Sequence, residues 1–375
     1  MIDVLETVQG RDVRPVRLTA VGDVMLGDSA ICTGYGFASR YSDPESLNAI
    51  AALRRFWTSS DLVFGNLECS LSDIRHAPRR WRSTQLRGRG DFARVLREAG
   101  FDVLNMANNH ASQHGADAFA DTVSMVRAAG IVCCGIRGTG EWCSEPAEVT
   151  VSGQRIGFLG YCLRPRQYSA AVPPYAEGSH REIVDDVNRL RSSVDRVIVS
   201  LHWGEEFVDR PSVDEVRFAH DVADAGASII LGHHPHVPRP VELYGTSVIA
   251  YSLGNFVSDM IWYQPLRTPL ILTLELDGTP QQVDARLVTI DDTFLPVEHG
   301  GDEVIVSAGI TGMPNTEYAS AVARTVSEFR TASYLHAAQN MHRFRFPTQF
   351  ALLGVTASNK FAALYRMITS KRVRA

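Results

Sequence analysis

The segment that decides the fold is "SVDEVRFAHDVADAGASIILGHHPH", residues 212–236. The pattern predicts a helix that stops at Gly226, followed by the strand "ASIILGHHPH". Three histidines, His233, His234 and His236, come directly after the apolar run. Imidazoles are a poor ending for a hydrophobic strand unless something binds them. The segment therefore predicts a helix-then-strand unit that delivers histidines to a binding site.

Helices and strands alternate on both sides of this segment. "DFARVLREAG", residues 91–100, places apolar side chains on one helical face and stops at a glycine. "SVIAYSLGNFV" and the pair of strands around "DGTP", residues 277–280, follow one another without a helix, and the pair is predicted to be a hairpin. Alternation predicts a layered α/β fold, and the late run of strands predicts a mixed sheet. Other predicted strands are "VRLTAVGDVML", "DLVFGNLE", "FDVLNMANNH" and "DRVIVSLHWG".

Composition limits the classes of protein that the chain can be. The 375 residues are enough for one large domain or two, and 45% of them are hydrophobic, so a full core is expected. A net charge of −5 gives no support for nucleic-acid binding. Six cysteines without a C-x-x-C pair indicate neither a disulfide framework nor a thiolate zinc site. The first residues resemble no signal peptide, and no long apolar run follows, so a cytoplasmic protein is expected.

Polar side chains collect at the ends of several predicted strands. Open α/β sheets bind ligands at the carboxyl ends of their strands, so we expect these side chains to share one site. Mixed carboxylate, amide and imidazole ligands without thiolates suit Mn²⁺, Fe²⁺ or Zn²⁺, and about six candidates suit two ions better than one. The residues concerned are Asp23, Asn66, Glu68, Asn108, Asn109, His110, His202, His234, His236, Ser252 and Asn255.

The histidine run has a geometry of its own. Residues two apart in an extended segment point to the same side. His234 and His236 are therefore expected to face one site or to straddle two ions, with Pro235 stiffening the turn. His233 is expected to point away.

The ordered motifs resemble those of the CapA family, which groups poly-γ-glutamate capsule biosynthesis proteins within the calcineurin-like metallophosphoesterase superfamily. The resemblance covers about Arg17 to Asp291, and it is carried by "AVGDVMLG", "GNLE", "NMANNH", "SLHWGEE", "GHHPHV" and "YSLGNF". It implies a four-layer α/β/β/α sandwich with a dinuclear metal site at one end. The predicted catalytic domain spans residues 15–295, and residues 296–375 form a C-terminal helical extension packed on it.

The same resemblance implies roles for individual residues. Glu68 takes the place of a bridging carboxylate, and His110 that of the histidine that assists the leaving group, with Asn108 beside it as a second catalytic candidate. Asn66, Ser252 and Asn255 are expected to line the substrate pocket. The implied metal ligands are Asp23, Glu68, Asn109, His202, His234 and His236.

One departure concerns the first motif. Metallophosphoesterases usually begin with D-x-H, and this chain has Met25 where that motif has its histidine. The resemblance therefore leaves open whether one or two ions bind, and it weakens the case for ordinary phosphatase activity.

Three functions remain open at this stage. The preferred one is a metal-dependent hydrolase or amide-forming or amide-cleaving enzyme that acts on an amino-acid or peptide-like substrate, such as a γ-glutamyl compound, in a biosynthetic pathway. The second is a metal-dependent phosphoesterase on a small phosphorylated metabolite. The third is a non-catalytic binding protein that keeps the fold. No nucleic-acid partner or membrane anchor is expected, and the oligomeric state is left open.

Several segments have two interpretations. The arginine-rich stretch 75–90 could bind substrate carboxylates or phosphates, although a solvated loop is favoured. Residues 163–180 form either a loop that closes over the site or a tolerated surface loop. Glu205 and Glu206 could orient His202 or form an exposed pair. The basic segment from Met341 onward could be a helical appendage that contacts an anionic substrate or partner, although a solvated tail docked by its Phe and Leu residues is favoured.

Overall fold

The structure, a computed structural model, describes residues 15–43, 45–74, 85–168, 172–276, 283–303, 306–340 and 343. Several sequence predictions fall outside these ranges. They include the interpretation of the first fourteen residues, most of the arginine-rich stretch and nearly all of the basic tail. Residues 169–171 of the loop 163–180 also lie outside them.

The first sheet is mixed. β1 pairs in parallel with β2 and β13 and antiparallel with β14, and β15 and β16 continue the antiparallel side. The predicted pair around residues 277–280 is confirmed, because β14 and β15 are antiparallel neighbours. The order is β16-β15-β14-β1-β2-β5-β6, with β13 on β1. The described strands of this sheet are β1 (Val16–Val24), β2 (Leu62–Leu67), β5 (Val103–Asn105), β6 (Val132–Cys134), β13 (Asn255–Val257), β14 (Leu270–Leu276), β15 (Val283–Ile290) and β16 (Pro296–Glu303).

The second sheet carries the strand that holds the first of the three histidines. Its central strands β8, β9, β10 and β12 are parallel, and β7 and β11 pair antiparallel with β8 and β12. The order is β17-β11-β12-β10-β9-β8-β7. The described strands are β7 (Ala147–Val151), β8 (Gln154–Cys162), β9 (Arg196–His202), β10 (Ile229–His233), β11 (Val241–Tyr244), β12 (Ser247–Ala250) and β17 (Val306–Ser307), and a separate small parallel pair joins β3 (Ser70–Leu71) to β4 (Arg87–Gly88).

Three hydrophobic clusters define four layers. Buried side chains such as Leu18, Phe64, Phe158 and Leu231 fill the space between the two sheets. A second cluster packs helices against the outer face of the first sheet, and a third packs helices against the outer face of the second. The predicted α/β/β/α sandwich is therefore confirmed. The helices are α1 (Phe37–Arg40), α2 (Leu47–Ala51), α3 (Phe92–Glu98) and α4 (Ala116–Ala128) on one side, and α5 (His180–Leu190) and α6 (Val213–Asp224) on the other, with 3₁₀ turns at Ala52–Trp57 and Gln264–Arg267.

Local hydrogen bonds and a glycine explain the helix-then-strand unit of residues 212–236. Ser212 caps α6, since its hydroxyl accepts a hydrogen bond from the Glu215 backbone and the Glu215 carboxylate accepts one from the Ser212 backbone, at 3.2 and 2.7 Å. The helix ends near Gly226, whose φ of 114° is a conformation that other residues rarely adopt. The chain then enters β10, which ends at His233 rather than running on to His236 as predicted.

The C-terminal part of the described chain adds one long helix, α7 (Asn315–Gln339). It packs through Ala321 onto Val208 and Met313, and through Phe329 onto Phe207. The domain boundary at residue 295 stays a prediction, and β16 and β17, which follow it, pair with one sheet each. Among the helices that the structure describes, none is both long and apolar enough to cross a membrane.

Candidate metal centre

The predicted ligands meet where strands of both sheets end. Asp23 lies near the end of β1, beside Asn66 of β2, and Glu68 follows directly after β2. His202 ends β9 and lies beside His233 of β10. The side chains of Asp23, Glu68 and His202 are fully buried. The sheet edges therefore place one carboxylate or imidazole per strand at a common point, as the sequence predicts.

Glu68 lies at the middle of the cluster. Its Oε1 lies 3.5 Å from His202 Nε2 and 3.9 Å from His110 Nε2, and its Oε2 lies 3.8 Å from His236 Nδ1. Within the described parts of the chain, neither oxygen has a hydrogen-bond partner. A buried carboxylate without partners is costly, so this geometry suits a cation on each side of Glu68.

Asp23 faces one side of the cluster. Its Oδ2 lies 3.2 Å from His236 Nδ1, and its Oδ1 accepts a 2.7 Å hydrogen bond from Asn66 Nδ2. His233 was predicted to point away, and this is wrong, because its Nδ1 lies 3.4 Å from Asp23 Oδ1. The backbone N–H of His234 also points to Asp23, at 3.4 Å.

His202 and Asn109 face the other side. The Nε2 of His202 lies 2.8 Å from the Oδ1 of Asn109, and both side chains are buried. The Asn109 amide group therefore approaches the imidazole nitrogen that also faces Glu68 Oε1. An amide oxygen and an imidazole nitrogen at this spacing are compatible with one shared cation.

The segment that carries His234 and His236 is not extended. Both residues have left-handed φ values, 94° and 61°, which are uncommon outside glycine and mark a conformation held by its surroundings. The reasoning from an extended segment is therefore wrong, although both rings still enter the cluster. The ring centroid of His234 lies 4.8 Å from that of His202, and no described residue hydrogen-bonds either of its buried ring nitrogens.

Donor atoms group into three overlapping sets, and the atoms of each set lie within 4.8 Å of one another. These sets fit a transition metal for two reasons. They combine carboxylates with imidazoles, and they contain buried donor atoms without a hydrogen-bond partner among the described residues. The sets are Asp23, Glu68 and His236; Glu68, His202 and His234; and Glu206, His234 and His236.

Burial and crowding shift the acidities of the cluster. Burial would raise the pKa of Asp23, but hydrogen bonds from His233 and His236 hold it well below its usual range. Burial and the nearby Asp23 carboxylate raise the pKa of Glu68. Burial would lower the pKa of His236, but the carboxylates of Glu68 and Asp23 raise it to about 10. Burial lowers the pKa values of His202 and His234, which favours the neutral imidazole that metals bind.

The two predicted catalytic residues lie in different settings. His110 borders the cavity with its side chain 15% exposed, and its Nδ1 lies 2.7 Å from Gln113 Oε1. Burial lowers its pKa to about 4. Asn108 is buried, its amide donates to the Leu67 carbonyl at 2.8 Å, and its Oδ1 accepts from the His110 backbone at 3.2 Å. Asn108 therefore ties the His110 turn to the end of β2.

The three predicted substrate-binding residues are fully buried and hydrogen-bonded within the protein. Asn66 bonds to Asp23 and lies 3.3 Å from His202 Nδ1. The Ser252 hydroxyl donates to the Val237 carbonyl at 2.7 Å, and Asn255 Oδ1 lies 3.0 Å from His236 Nδ1. These contacts position the ligand-bearing turns. The assignment of individual roles in the site stays a prediction.

Sequence reasoning left Glu206 undecided. Glu205 forms an ion pair with Arg164 at 2.9 Å, whereas the Glu206 carboxylate lies with His234 and His236. None of the hydrogen bonds among described residues joins either glutamate to His202. Two adjacent glutamates after "HWG" carry no signal in the sequence that would separate these roles.

A cavity of about 200 Å³ opens beside the cluster. Glu68, His110, Glu206 and His236 are the ionisable residues of its described wall. The rest of its described wall is largely apolar and includes Met25, Ile31, Leu86, Phe207, Trp262 and Phe329.

Comparison with known proteins identifies the family. Residues 17–260 match the family model described as bacterial capsule synthesis protein PGA_cap. The chain belongs to this family. The predicted resemblance to CapA proteins is thereby confirmed, and α7 lies outside the matched residues.

Two relatives of the PGA_cap chain carry the CapA name. The capsule biosynthesis protein CapA of Bacillus anthracis is 28% identical over 315 residues, which cover 80% of this chain and 72% of the relative. The PGA biosynthesis protein CapA of Bacillus subtilis strain 168 is 29% identical over 268 residues, covering 69% and 68%. Among solved structures, a 5'-nucleotidase from Candida albicans superposes with a TM-score of 0.45 and 14% identity, covering 87% of this chain and 59% of that one.

Proposed function

We propose that this PGA_cap protein is a metal-dependent hydrolase or amide-bond enzyme of capsule or polyglutamate biosynthesis. Its substrate is an amino-acid or peptide-like compound, such as a γ-glutamyl amide. The observation that carries the proposal is Glu68, a fully buried carboxylate with no hydrogen-bond partner among the described residues and histidine nitrogens facing both of its oxygens. The names of the two CapA relatives support the pathway.

The residues present would hold one or two divalent transition-metal ions, Mn²⁺, Fe²⁺ or Zn²⁺. Asp23, Glu68 and His236 form one ligand set, and Glu68, His202 and His234 form the other, with Asn109 close to His202. A bound ion lowers the pKa of water and polarises a carbonyl or phosphoryl oxygen. A cation would also offset the free-energy cost of burying the Glu68 carboxylate, since it stabilises the ionised form.

His110 is the residue that we assign to proton transfer. Because its Nδ1 lies against Gln113 Oε1, its Nε2 is the nitrogen left to face the cavity and Glu68. Since Gln113 Oε1 can only accept, the neutral ring carries its proton on Nδ1, and its bare Nε2 can take up a proton at the cavity and pass it to a departing group. Asn108 assists indirectly, since it holds the backbone of His110 in place.

The cavity wall supports the choice of substrate class. Phe207, Trp262 and Phe329 form an aromatic surface that suits the carbon skeleton of an amino-acid or peptide-like compound. The described lining residues include no arginine or lysine, so the counter-charge for a phosphate or for a substrate carboxylate would come from the bound metal ions.

The test is to assay purified, metal-loaded protein against a γ-glutamyl amide and a generic phosphodiester. Metal-dependent turnover of the amide is the expected result. Turnover of the phosphodiester alone would contradict the substrate class and identify a phosphoesterase. Turnover of neither compound by protein that binds no metal would contradict enzymatic function altogether.

A further inference from the structure

We propose that Glu206 is a metal ligand, which completes with His234 and His236 a coordination site on the cavity side of the cluster. This inference rests on the proposed function, because it assumes that the cluster binds a transition metal. The inference adds Glu206 to the set of metal ligands. The sequence alone left open whether this residue orients His202 or is merely exposed.

The first argument is position. One carboxylate oxygen of Glu206 and one ring nitrogen each of His234 and His236 lie within 4.8 Å of one another. Glu206 is partly exposed, whereas both histidines are buried, and it lines the cavity together with Glu68 and His236. A ligand in this place lies between the buried cluster and the space where substrate would bind.

The second argument is the lack of other partners. Within the described chain, both ring nitrogens of His234 are buried without a hydrogen bond, so the ring faces the cluster with no protein group to satisfy it. The carboxylate of Glu206 has no ion pair among the described residues, although that of its neighbour Glu205 binds Arg164. A cation between Glu206 and His234 would satisfy both groups. Carboxylate and imidazole together are a donor set for Zn²⁺, Mn²⁺ or Fe²⁺.

The third argument is that the backbone around Glu206 is fixed. Gly204 and Phe207 have left-handed φ values of 74° and 69°, so the chain turns sharply on both sides of the two glutamates. Phe207 is not glycine, and its conformation stores strain that its surroundings must support. The Phe207 backbone N–H donates to the Pro235 carbonyl at 2.8 Å, which ties this turn to the segment between His234 and His236.

Two further hydrogen bonds, both to the backbone of Glu205, hold the turn in place. The Glu205 backbone N–H donates to the Tyr318 hydroxyl at 3.0 Å, and its carbonyl accepts from Arg239 Nη2 at 3.2 Å. Arg239 is buried, and its Nη1 bonds to Glu215. Protein contacts therefore hold the turn that carries Glu206 in place, and a ligand fixed by its surroundings binds a metal more strongly than a mobile one.

The experiment measures metal content rather than activity. Wild-type protein, Glu206→Gln and Glu205→Gln are stripped with chelator, reloaded with Mn²⁺ or Zn²⁺, and analysed for ions per chain and for affinity by chelator competition. Glu205→Gln is the matched control, because it makes the same charge change one residue away. Glu206→Gln is expected to lose one ion per chain or to bind at least about tenfold more weakly, since even groups that merely orient ligands contribute 10–100-fold. Glu205→Gln is expected to match wild type.

The outcomes separate this inference from the proposed function. If wild type binds metal and Glu206→Gln binds the same number of ions with the same affinity, Glu206 is not a ligand, and the metal centre stands without it. If wild type binds no transition metal, both proposals fail.

A measurement on wild type covers the case in which Glu206→Gln does not fold. Anomalous scattering from Mn²⁺-loaded crystals is expected to show an ion about 2.0–2.2 Å from a Glu206 oxygen. Ions that all lie well beyond coordination distance from that carboxylate would refute the inference.

Discussion

The ring of Phe207 stacks on the ring of Phe329 with centroids 4.2 Å apart and planes inclined by 21°. Phe207 follows Glu206 in the turn that borders the cavity, and Phe329 belongs to α7, beyond the residues that match the family model. The same helix supplies Tyr318, whose hydroxyl accepts from the Glu205 backbone. Helix α7 therefore packs against the turn that carries Glu206, and its integrity is linked to the geometry of the candidate site.

Replacing Phe329 by alanine tests this link. The change removes an aromatic contact from a half-buried position, so we expect a loss of about 2 kcal/mol in the free energy of unfolding, below the 3–5 kcal/mol of fully buried cases. We also expect weaker metal binding, because the strained turn at Phe207 loses its support. Urea denaturation and chelator competition measure the two effects. Tyr334→Ala is the control, since Tyr334 lies on the same helix and is 36% exposed. Equal effects of the two changes on metal affinity would contradict the link.

Among the residues that support the turn carrying Glu206, Arg239 is expected to contribute most to the free energy of unfolding. Its guanidinium is buried and bonds to Glu215 at 2.6 Å and to the Val208 carbonyl at 2.8 Å. Arg239→Met removes the charged partner of the Glu215 carboxylate and the donor to two backbone carbonyls, so we predict a loss of about 3–5 kcal/mol in the free energy of unfolding. Arg217→Met is the control, because Arg217 is 73% exposed and its ion pair with Asp214 should contribute at most about 1 kcal/mol. Chemical denaturation compares them, and similar midpoints for both variants would show that Arg239 is not a structural anchor.

Much of the fold could be predicted from the sequence because its signals are local. Helical spacing followed by glycine predicted α3 and α6, and the two late β-rich segments predicted the β14–β15 pair. The exact end of β10 at His233 was not predictable, since the change from apolar residues to "GHHPH" does not show which residue makes the last strand pairing. The left-handed conformations of His234 and His236 come from tertiary contacts, such as the bond between the His234 backbone and Asp23.

The site could be located from the sequence but not resolved into ligands and supports. Asp23, Glu68, His202, His234 and His236 have donor atoms that lie close together because strand ends converge in this kind of sheet. A polar residue at a strand end looks the same whether it binds a ligand or holds a neighbour, as Asn66 and Ser252 do. Glu205 and Glu206 differ only through the fold, which supplies Arg164 to one and two histidines to the other.

Asp259 predicts a pH dependence of stability away from the metal cluster. Burial raises its pKa to about 7, and its Oδ2 accepts a 2.9 Å bond from the Ser29 backbone. The unfolded chain releases this proton near pH 3.9, so between about pH 4 and 7 the folded state holds more protons and its stability falls as pH rises. The loss is of the order of 4 kcal/mol, at about 1.4 kcal/mol per pH unit.

The measurement compares urea denaturation of wild type and Asp259→Asn at pH 5 and pH 8. The difference in stability between the two proteins should shift in favour of the variant at pH 8. Asp292→Asn serves as control because its side chain is 88% exposed. A wild-type pH slope that survives unchanged in Asp259→Asn would show that this carboxyl group does not titrate as predicted.

His110→Asn should separate proton transfer from metal binding. The loss of a general acid costs roughly 10²–10⁴-fold in rate. His110 Nε2 lies 3.9 Å from Glu68 and belongs to none of the three donor sets, so metal content should stay at the wild-type value. Steady-state turnover on the γ-glutamyl amide and elemental analysis give the two readouts. Unchanged turnover would remove His110 from the catalytic role.

Glu68→Gln should have opposite effects with and without metal. In chelator-treated protein, a neutral amide replaces a buried carboxylate whose pKa is raised by burial, so the variant should be at least as stable as wild type. With metal at about 100 times its dissociation constant, wild type should gain about 2.7 kcal/mol, and the variant should gain much less because the shared ligand has lost its charge. Thermal melts with and without Mn²⁺ or Zn²⁺ measure both effects. Glu98→Gln on α3, with its side chain 48% exposed, controls for the substitution itself. An equal metal-induced rise in melting temperature for Glu68→Gln and wild type would mean that Glu68 is not a ligand of the bound ion.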